Sequence, residues 1–387
     1  SKNVDNLLEH VMVELGHIDN PNTRFAKGLL SGINVNSIDA WNHYLEEFLS
    51  RKELIKFYPD MLCTGEMQSF HLAKLLLLIN KGDLRADSVF VLSYGSVTSH
   101  LSGNDISSFC LALADIDAKS AWIALDIMFM HCLGNSNKFI ENKVSLKALV
   151  TKVCLDYRNK SRHSDMYHWE EVAKKLFVTE GVPFCKDICR QIIAAAEGDL
   201  DYGDISNHIK PLLQNMMQLY GESIWPIFSE AIISANSTQL HYFQLLLEKL
   251  DKFADTQLSV FSLLPFDLII NWCKENPERA PTFVASTINI FEQDESGFKE
   301  PTRIFVALLE NFGDLPEVAS ALSSNLGTKS WSGSLVPYLE SEKIAVTPLL
   351  QHTSKNVRSW VQKHIAYLEE SIKYESMRDD ERSLGIY

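Results

Sequence analysis

Apolar side chains recur at three- and four-residue steps along almost the whole chain, the spacing that gathers them on one face of a helix. Val4, Leu7, Leu8, Val11, Met12 and Leu15 form the first such stripe. Ser37 then stands as an N-cap ahead of Ile38, Trp41, Leu45, Phe48 and Leu49. The pattern predicts a helix over 66–80, stopped by Asn80-Lys81-Gly82, and a short element over 88–94. Helices follow over 105–114, 119–133, 143–157 and 168–179. Pro183 starts another, which Glu197-Gly198-Asp199 closes. Further stripes cover 204–220, 223–234 and 237–253. The last third gives the pairs 265–274 with 277–291, 300–311 with 315–326, and 340–352 with 355–377. Residues 292–299 read as a charged loop, 327–334 as the most turn-like stretch, and 378–387 as a charged, frayed tail.

The spacing of these elements predicts an architecture. Helix plus turn recurs every roughly 18–22 residues and a helix pair every roughly 40, close to the period of HEAT-like repeats. Each pair buries one face only against its neighbours, so stacking creates a continuous ribbon of core. The expected fold is therefore all-α, an irregular α-solenoid of stacked antiparallel helix pairs. N-terminal repeats occupy 1–157 and C-terminal repeats 164–387, continuous with the first half, and the polar loop between them is a place for a bend. The rival is an ordinary all-α globule of packed bundles.

Composition supports helices over sheet. The 387 residues include 17 Gly and 12 Pro, against about 27 and about 19 at average usage. Hydrophobic residues make up 46%, enough for a packed core and above the disordered range. The net charge of −14 disfavours general nucleic-acid binding, which needs a basic face, without excluding a local basic patch. Seven cysteines, Cys63, Cys110, Cys132, Cys154, Cys185, Cys189 and Cys273, sit mostly in apolar helical runs. Their odd number and placement suggest no disulfide framework and a reducing, cytoplasmic setting. The apolar stretches are too short to span a bilayer. The chain opens Ser-Lys-Asn, which fits a processed chain or a piece of a longer protein.

Two segments carry a family resemblance. Leu349-Leu350-Gln351-His352-Thr353-Ser354-Lys355-Asn356-Val357-Arg358 resembles the turn and inner-helix start of a HEAT repeat: a Leu pair, a short turn, then Val-Arg. His352 stands where that family usually has Asp, and the turn proline is missing. Leu308-Leu309-Glu310-Asn311 followed by Glu317-Val318-Ala319 is a weaker match. The resemblance covers one repeat of about nine and implies a fold, not a function. Trp331-Ser332-Gly333-Ser334, Pro337, Val357-Arg358-Ser359-Trp360 and the charged 369–382 helix also look like the terminal helical array of large bacterial phage-defence NTPases. That likeness implies a recognition or sensor region attached to an enzyme outside this chain.

Candidate chemistry is sparse. Gly327-Thr328-Lys329-Ser330 has the end of a phosphate loop but not its spacing or its earlier glycine, and reads as a helix–helix turn. Cys185 and Cys189, four apart on one helix, could join His163 and His168 in a zinc site, although buried free cysteines are the commoner reading. Glu197, Asp199, Asp201 and Asp204 lie in a glycine-spaced loop without calcium-loop spacing and read as a solvated connection. Trp225, Trp272, Trp331 and Trp360 are either core or hot-spot candidates. The remaining polar feature is the basic loop of Arg158, Lys160, Arg162 and His163, near Lys152, able to meet a phosphate, an acidic peptide or a nucleic-acid backbone. Together these features lead to the expectation of a non-catalytic scaffold or sensor that binds a protein partner, with no cofactor or metal. The alternatives are phosphate or nucleic-acid recognition through the basic loop, or a hydrolase whose site is assembled from scattered residues.

Overall fold

The structure, a computed structural model, describes residues 2–18, 21–156, 165–198, 201–248, 259–293, 299–327 and 332–384. The fold is all-α. The chain divides into two compact units, Ser1–Gly181 and Val182–Tyr387.

The first unit runs α1 (Lys2–His17), α2 (Arg24–Asn36), α3 (Ile38–Ser50), α4 (Tyr58–Leu62) and α5 (Ser69–Lys81). A 3₁₀ segment, Ala86–Ser93, leads to α6 (Gly103–Ala114), α7 (Ala118–Cys132), α8 (Ser136–Glu141) and α9 (Lys143–Lys152). The unit closes with the first half of α10 (Asp165–Ala194). Polar caps fix several of these boundaries. Ser37, Ser102 and Asp117 accept the backbone N–H of Ala40, Asp105 and Ser120. Gly82 ends α5 at φ 77°, left-handed backbone that glycine adopts without strain.

The centre of the first unit is α7. All residues from Ser120 to Phe129 are buried, as expected of a helix enclosed on every side. It packs on α6, α9 and the 3₁₀ segment. The principal contacts of the unit join elements close in sequence: α1 with α2, α2 with α3 and α4, α5 with α6, α8 with α9.

Within α10 the helical backbone breaks at Gly181 (φ 66°, ψ −155°), two residues ahead of Pro183. A positive φ suits glycine, and Pro183 belongs at the start of a new helix. The second unit continues with α11 (Tyr202–Asp204), a π-helical turn Ile205–Ile209, α12 (Lys210–Ser234) and α13 (Ser237–Leu247). Then come a 3₁₀ turn Val260–Leu263, α14 (Phe266–Glu275) and α15 (Ala280–Thr287). Next are α16 (Arg303–Phe312), α17 (Pro316–Gly327), α18 (Val336–Val346), a 3₁₀ turn Thr347–Gln351 and α19 (Lys355–Ser383). Contacts again link near neighbours, such as α14 with α15 and α16, α15 with α17, and α18 with α19. Two aromatic clusters mark the core: Trp225 meets Phe261 and Trp272 edge-on, and Phe305 meets Trp360.

The structure departs from the sequence expectation in several places: α2, α4 and α8 were not anticipated, and α9 and α15 stop short of the expected 157 and 291. The 292–299 loop is flanked by a small antiparallel pair, β1 (Phe291–Gln293) and β2 (Lys299–Pro301), with Phe291 opposite Pro301. Strands of three residues are too short to show an alternating pattern. The expected frayed tail is also wrong over 378–383: α19 runs on to Ser383, because Arg378 pairs with Glu375 at 2.8 Å and Asp379 accepts a hydrogen bond from Ser334 at 2.5 Å. No helix among the described residues is long and apolar enough to cross a membrane.

Candidate functional site

The basic-loop residues Arg158, Lys160, Arg162 and His163 lie outside the described residues. Both approaches to the loop are described. Asp156 and Asp165 are buried at its two ends, and each is engaged in polar interactions. Lys152, just upstream, pairs with Asp115. In sequence, the cations at 158, 160 and 162 lie between Asp156 and Asp165.

Immediately after the loop, α10 carries a histidine–carboxylate pair. His168 Nδ1 binds Oδ1 of Asp126, a buried residue of α7. The imidazole stacks on Phe129 at 4.2 Å between ring centroids, and Phe129 also meets the half-exposed Tyr167. A carboxylate taken out of water needs a partner, and Asp126 obtains one from the neighbouring helix. In the tautomer whose Nδ1–H donates to Asp126, Nε2 is left as an acceptor. A group so oriented can accept a hydrogen bond or a proton from a ligand. The signal in the sequence is Asp126 itself, a lone carboxylate in the otherwise apolar run Ala121–Phe129.

The second unit holds a comparable pair deeper in its core. His364 Nε2 meets Glu342 Oε1 at 2.7 Å, with both residues buried, and the ring stacks between Trp360 and Tyr367. This pair ties α18 to α19.

Other sequence candidates resolve into structural roles. Asp201 caps α11 by accepting the N–H of Gly203 and Asp204, which leaves it a helix-start residue; Asp199 lies outside the described residues. Cys185 and Cys189 are buried on α10, and burial pushes the Cys185 thiol up to about 11 and that of Cys189 higher still. Among the described residues no group of three His, Cys, Asp or Glu side chains is placed to hold a metal ion. His163 lies outside them. Trp225, Trp272 and Trp360 are buried, so those three hot-spot candidates are core residues; Trp331 lies outside the described residues. Thr328, Lys329 and Ser330 do as well.

Residues 349–358 span the turn into α19. Val357 is buried, and Arg358 Nη1 donates to the carbonyls of His352 and Thr353 at 2.5 and 2.7 Å, closing the turn before α19. Arg279 does the same between helices: its Nη1 reaches the carbonyls of Ile232, Ile233 and Ala235 at the end of α12. Cations at helix C-termini satisfy the last carbonyls and oppose the helix dipole.

Large aliphatic side chains stand in water on adjoining helices of the first unit. Val144 of α9 is 82% exposed, Ile140 of α8 67%, Val178 of α10 63% and Leu133, at the end of α7, 56%. Glu180 links the same elements, pairing with Lys143 and Lys147 at 2.6 Å; the two ammonium groups pull its carboxyl down to about 2. The sequence reading missed this surface because the helical stripe of α9 does not reveal which residues fall outside it. No family model, curated protein or solved structure matches the chain.

Proposed function

We propose that the chain is a non-catalytic scaffold or sensor region, an array of stacked helix pairs that binds a protein partner. The observation that carries this reading is the exposed aliphatic surface of Leu133, Ile140, Val144 and Val178 on adjoining helices. Large apolar side chains held in water on helices that pack together offer a binding face to a partner. Packing between near neighbours in sequence supports the array, since a stack of helices offers repeated surface without a single enclosed site. The likeness of the terminal segment to helical arrays of bacterial phage-defence NTPases supports a recognition role within a larger defence protein.

The test is Ile140→Asp combined with Val144→Asp, assayed for partner capture from cells and for far-ultraviolet circular dichroism. Both positions are exposed, so helicity should be unchanged while capture is lost. Capture at the wild-type level with intact helicity would refute the reading.

A second reading, phosphate or nucleic-acid recognition, is favoured by one observation: the Asp126-held His168 follows the basic loop within a few residues. It expects binding that weakens with salt and falls when Arg158, Lys160 and Arg162 become alanine. Salt-independent capture that survives those changes excludes it.

A further inference from the structure

The turn over 94–101, between the 3₁₀ segment and α6, is held by three cationic or titratable side chains acting on backbone carbonyls. His131 of α7 lies with Nδ1 2.9 Å from the Thr98 carbonyl. Lys138 of α8 donates to the Ser99 carbonyl at 2.5 Å. His100, within the turn, places Nε2 2.7 Å from the Met67 carbonyl. A carbonyl only accepts, so each ring nitrogen in these bonds carries its hydrogen. The inner side of the turn, Thr98 and Leu101, is buried; Tyr94, Ser96, Ser99 and His100 are exposed.

His131 is the unusual member. It is 4% exposed, and its Nε2 is buried with no hydrogen-bond partner. An unpaired lone pair on a neutral ring costs less here than an unpaired charged donor would. A second N–H⁺ there would be a buried charge with no acceptor. The charges acting on the ring come from Lys138 of α8 and His100 of the turn, with no carboxylate among them. Burial first, and then Lys138, hold the imidazole below its usual value, outweighing the opposite effect of the Thr98 carbonyl.

We propose that this turn is an acid-released latch. It is closed while His131 is neutral, and it opens as acid protonates His131, because the closed state offers the new N–H⁺ no acceptor and the neighbouring Lys138 ammonium repels it. Opening frees the turn from α7 and α8 and uncovers Thr98 and Leu101.

Hydrogen exchange read by mass spectrometry on the full chain at pH 7.5 and 5.5, with rates corrected for intrinsic exchange, tests this. The reporters are the amides of Val97, Ser99 and Leu101, which donate to Tyr94, Ser96 and Thr98. A ring of ordinary value near 6.5 that binds its proton only in the open state raises the opening equilibrium by up to about tenfold at pH 5.5. Protection of the turn should therefore fall by up to that factor while α6 and α9 hold theirs. In His131→Asn the carboxamide can still donate to Thr98 but does not titrate, and the pH step should vanish. Protection independent of pH, an equal fall across α6 and α9, or a step that persists in the variant would overturn the proposal. Should the variant fail to fold, imidazole nitrogen resonances of the wild type decide: His131 protonated while the turn amides stay protected would overturn it, and protonation coincident with their loss would support it.

Discussion

The sharpest stability prediction concerns His71 of α5. Its Nδ1 accepts the Gln68 N–H at 2.9 Å, and its ring meets Trp41 edge-on and lies against Phe70. Burial lowers its pKa to about 4, with the Lys74 cation acting in the same direction and Glu46 against it. In the unfolded chain the ring returns to about 6.5, so between these values the unfolded state binds more protons. The resulting stability is fully present above the unfolded value and is lost as pH falls from about 6.5 toward 4. For these two values the loss between pH 7.5 and 5.0 is about 2 kcal/mol, tending to about 3.4 kcal/mol at lower pH. On a unit of this size that lowers the melting temperature by about 4–8 °C. The assay is thermal unfolding followed by circular dichroism at pH 7.5, 6.0 and 5.0, with wild type beside His71→Asn. Asparagine can still accept the Gln68 N–H but does not titrate. The variant should start lower, having lost the ring contacts, yet show a shallower decline with acid; His131 leaves a residual slope. Identical slopes in the two proteins would refute the reasoning.

Other outcomes follow from the same geometry. Arg279→Ala leaves the carbonyls at the end of α12 without their donor and should cost about 2–3 kcal/mol, read as a lower melting temperature, with Arg279→Lys recovering part of the loss. His168→Ala strands the buried Asp126 carboxylate and should cost about 3–5 kcal/mol, whereas Asp126→Asn in the same background should restore much of it; additive losses in denaturant titrations would deny the coupling. Among the thiols, Cys154 is exposed, whereas burial raises Cys63 and Cys273 to about 12 and Cys132 and Cys185 to about 11. A disulfide reagent added to native protein at pH 8 should therefore show one fast thiol per chain, lost in Cys154→Ser.

Local signals in the sequence located many of the helices, although α2, α4 and α8 were not anticipated. Ser37 as a cap and Gly82 as a stop act as their residue types require, and the gap expected between the helix ending near Thr179 and the one begun by Pro183 is the Gly181 break. Boundaries failed where tertiary contacts decided them. The tail past Met377 reads as solvated charge, but Glu375 and Ser334 order it, and Ser334 is distant in sequence. The candidate sites were far less legible. A period of three and four shows which face is apolar, not which apolar residues lie beyond the stripe, so Val144 and Ile140 gave no warning. Asp126 was detectable as a charge in an apolar run, but its partner was not, because the two sit on helices separated by α8 and α9. Tryptophan is common both in cores and in interfaces, and burial assigned Trp225, Trp272 and Trp360 to the former.

A photo-crosslinking residue placed at position 144, compared with one at Arg85, which is exposed on the same unit, tests the proposed binding face most directly. Irradiation in cells should give a discrete, saturable protein adduct at 144 that Ile140→Asp removes, and none at 85. Equal labelling at both positions, or adducts at 144 indifferent to Ile140→Asp, would contradict a partner-binding surface on α8 and α9.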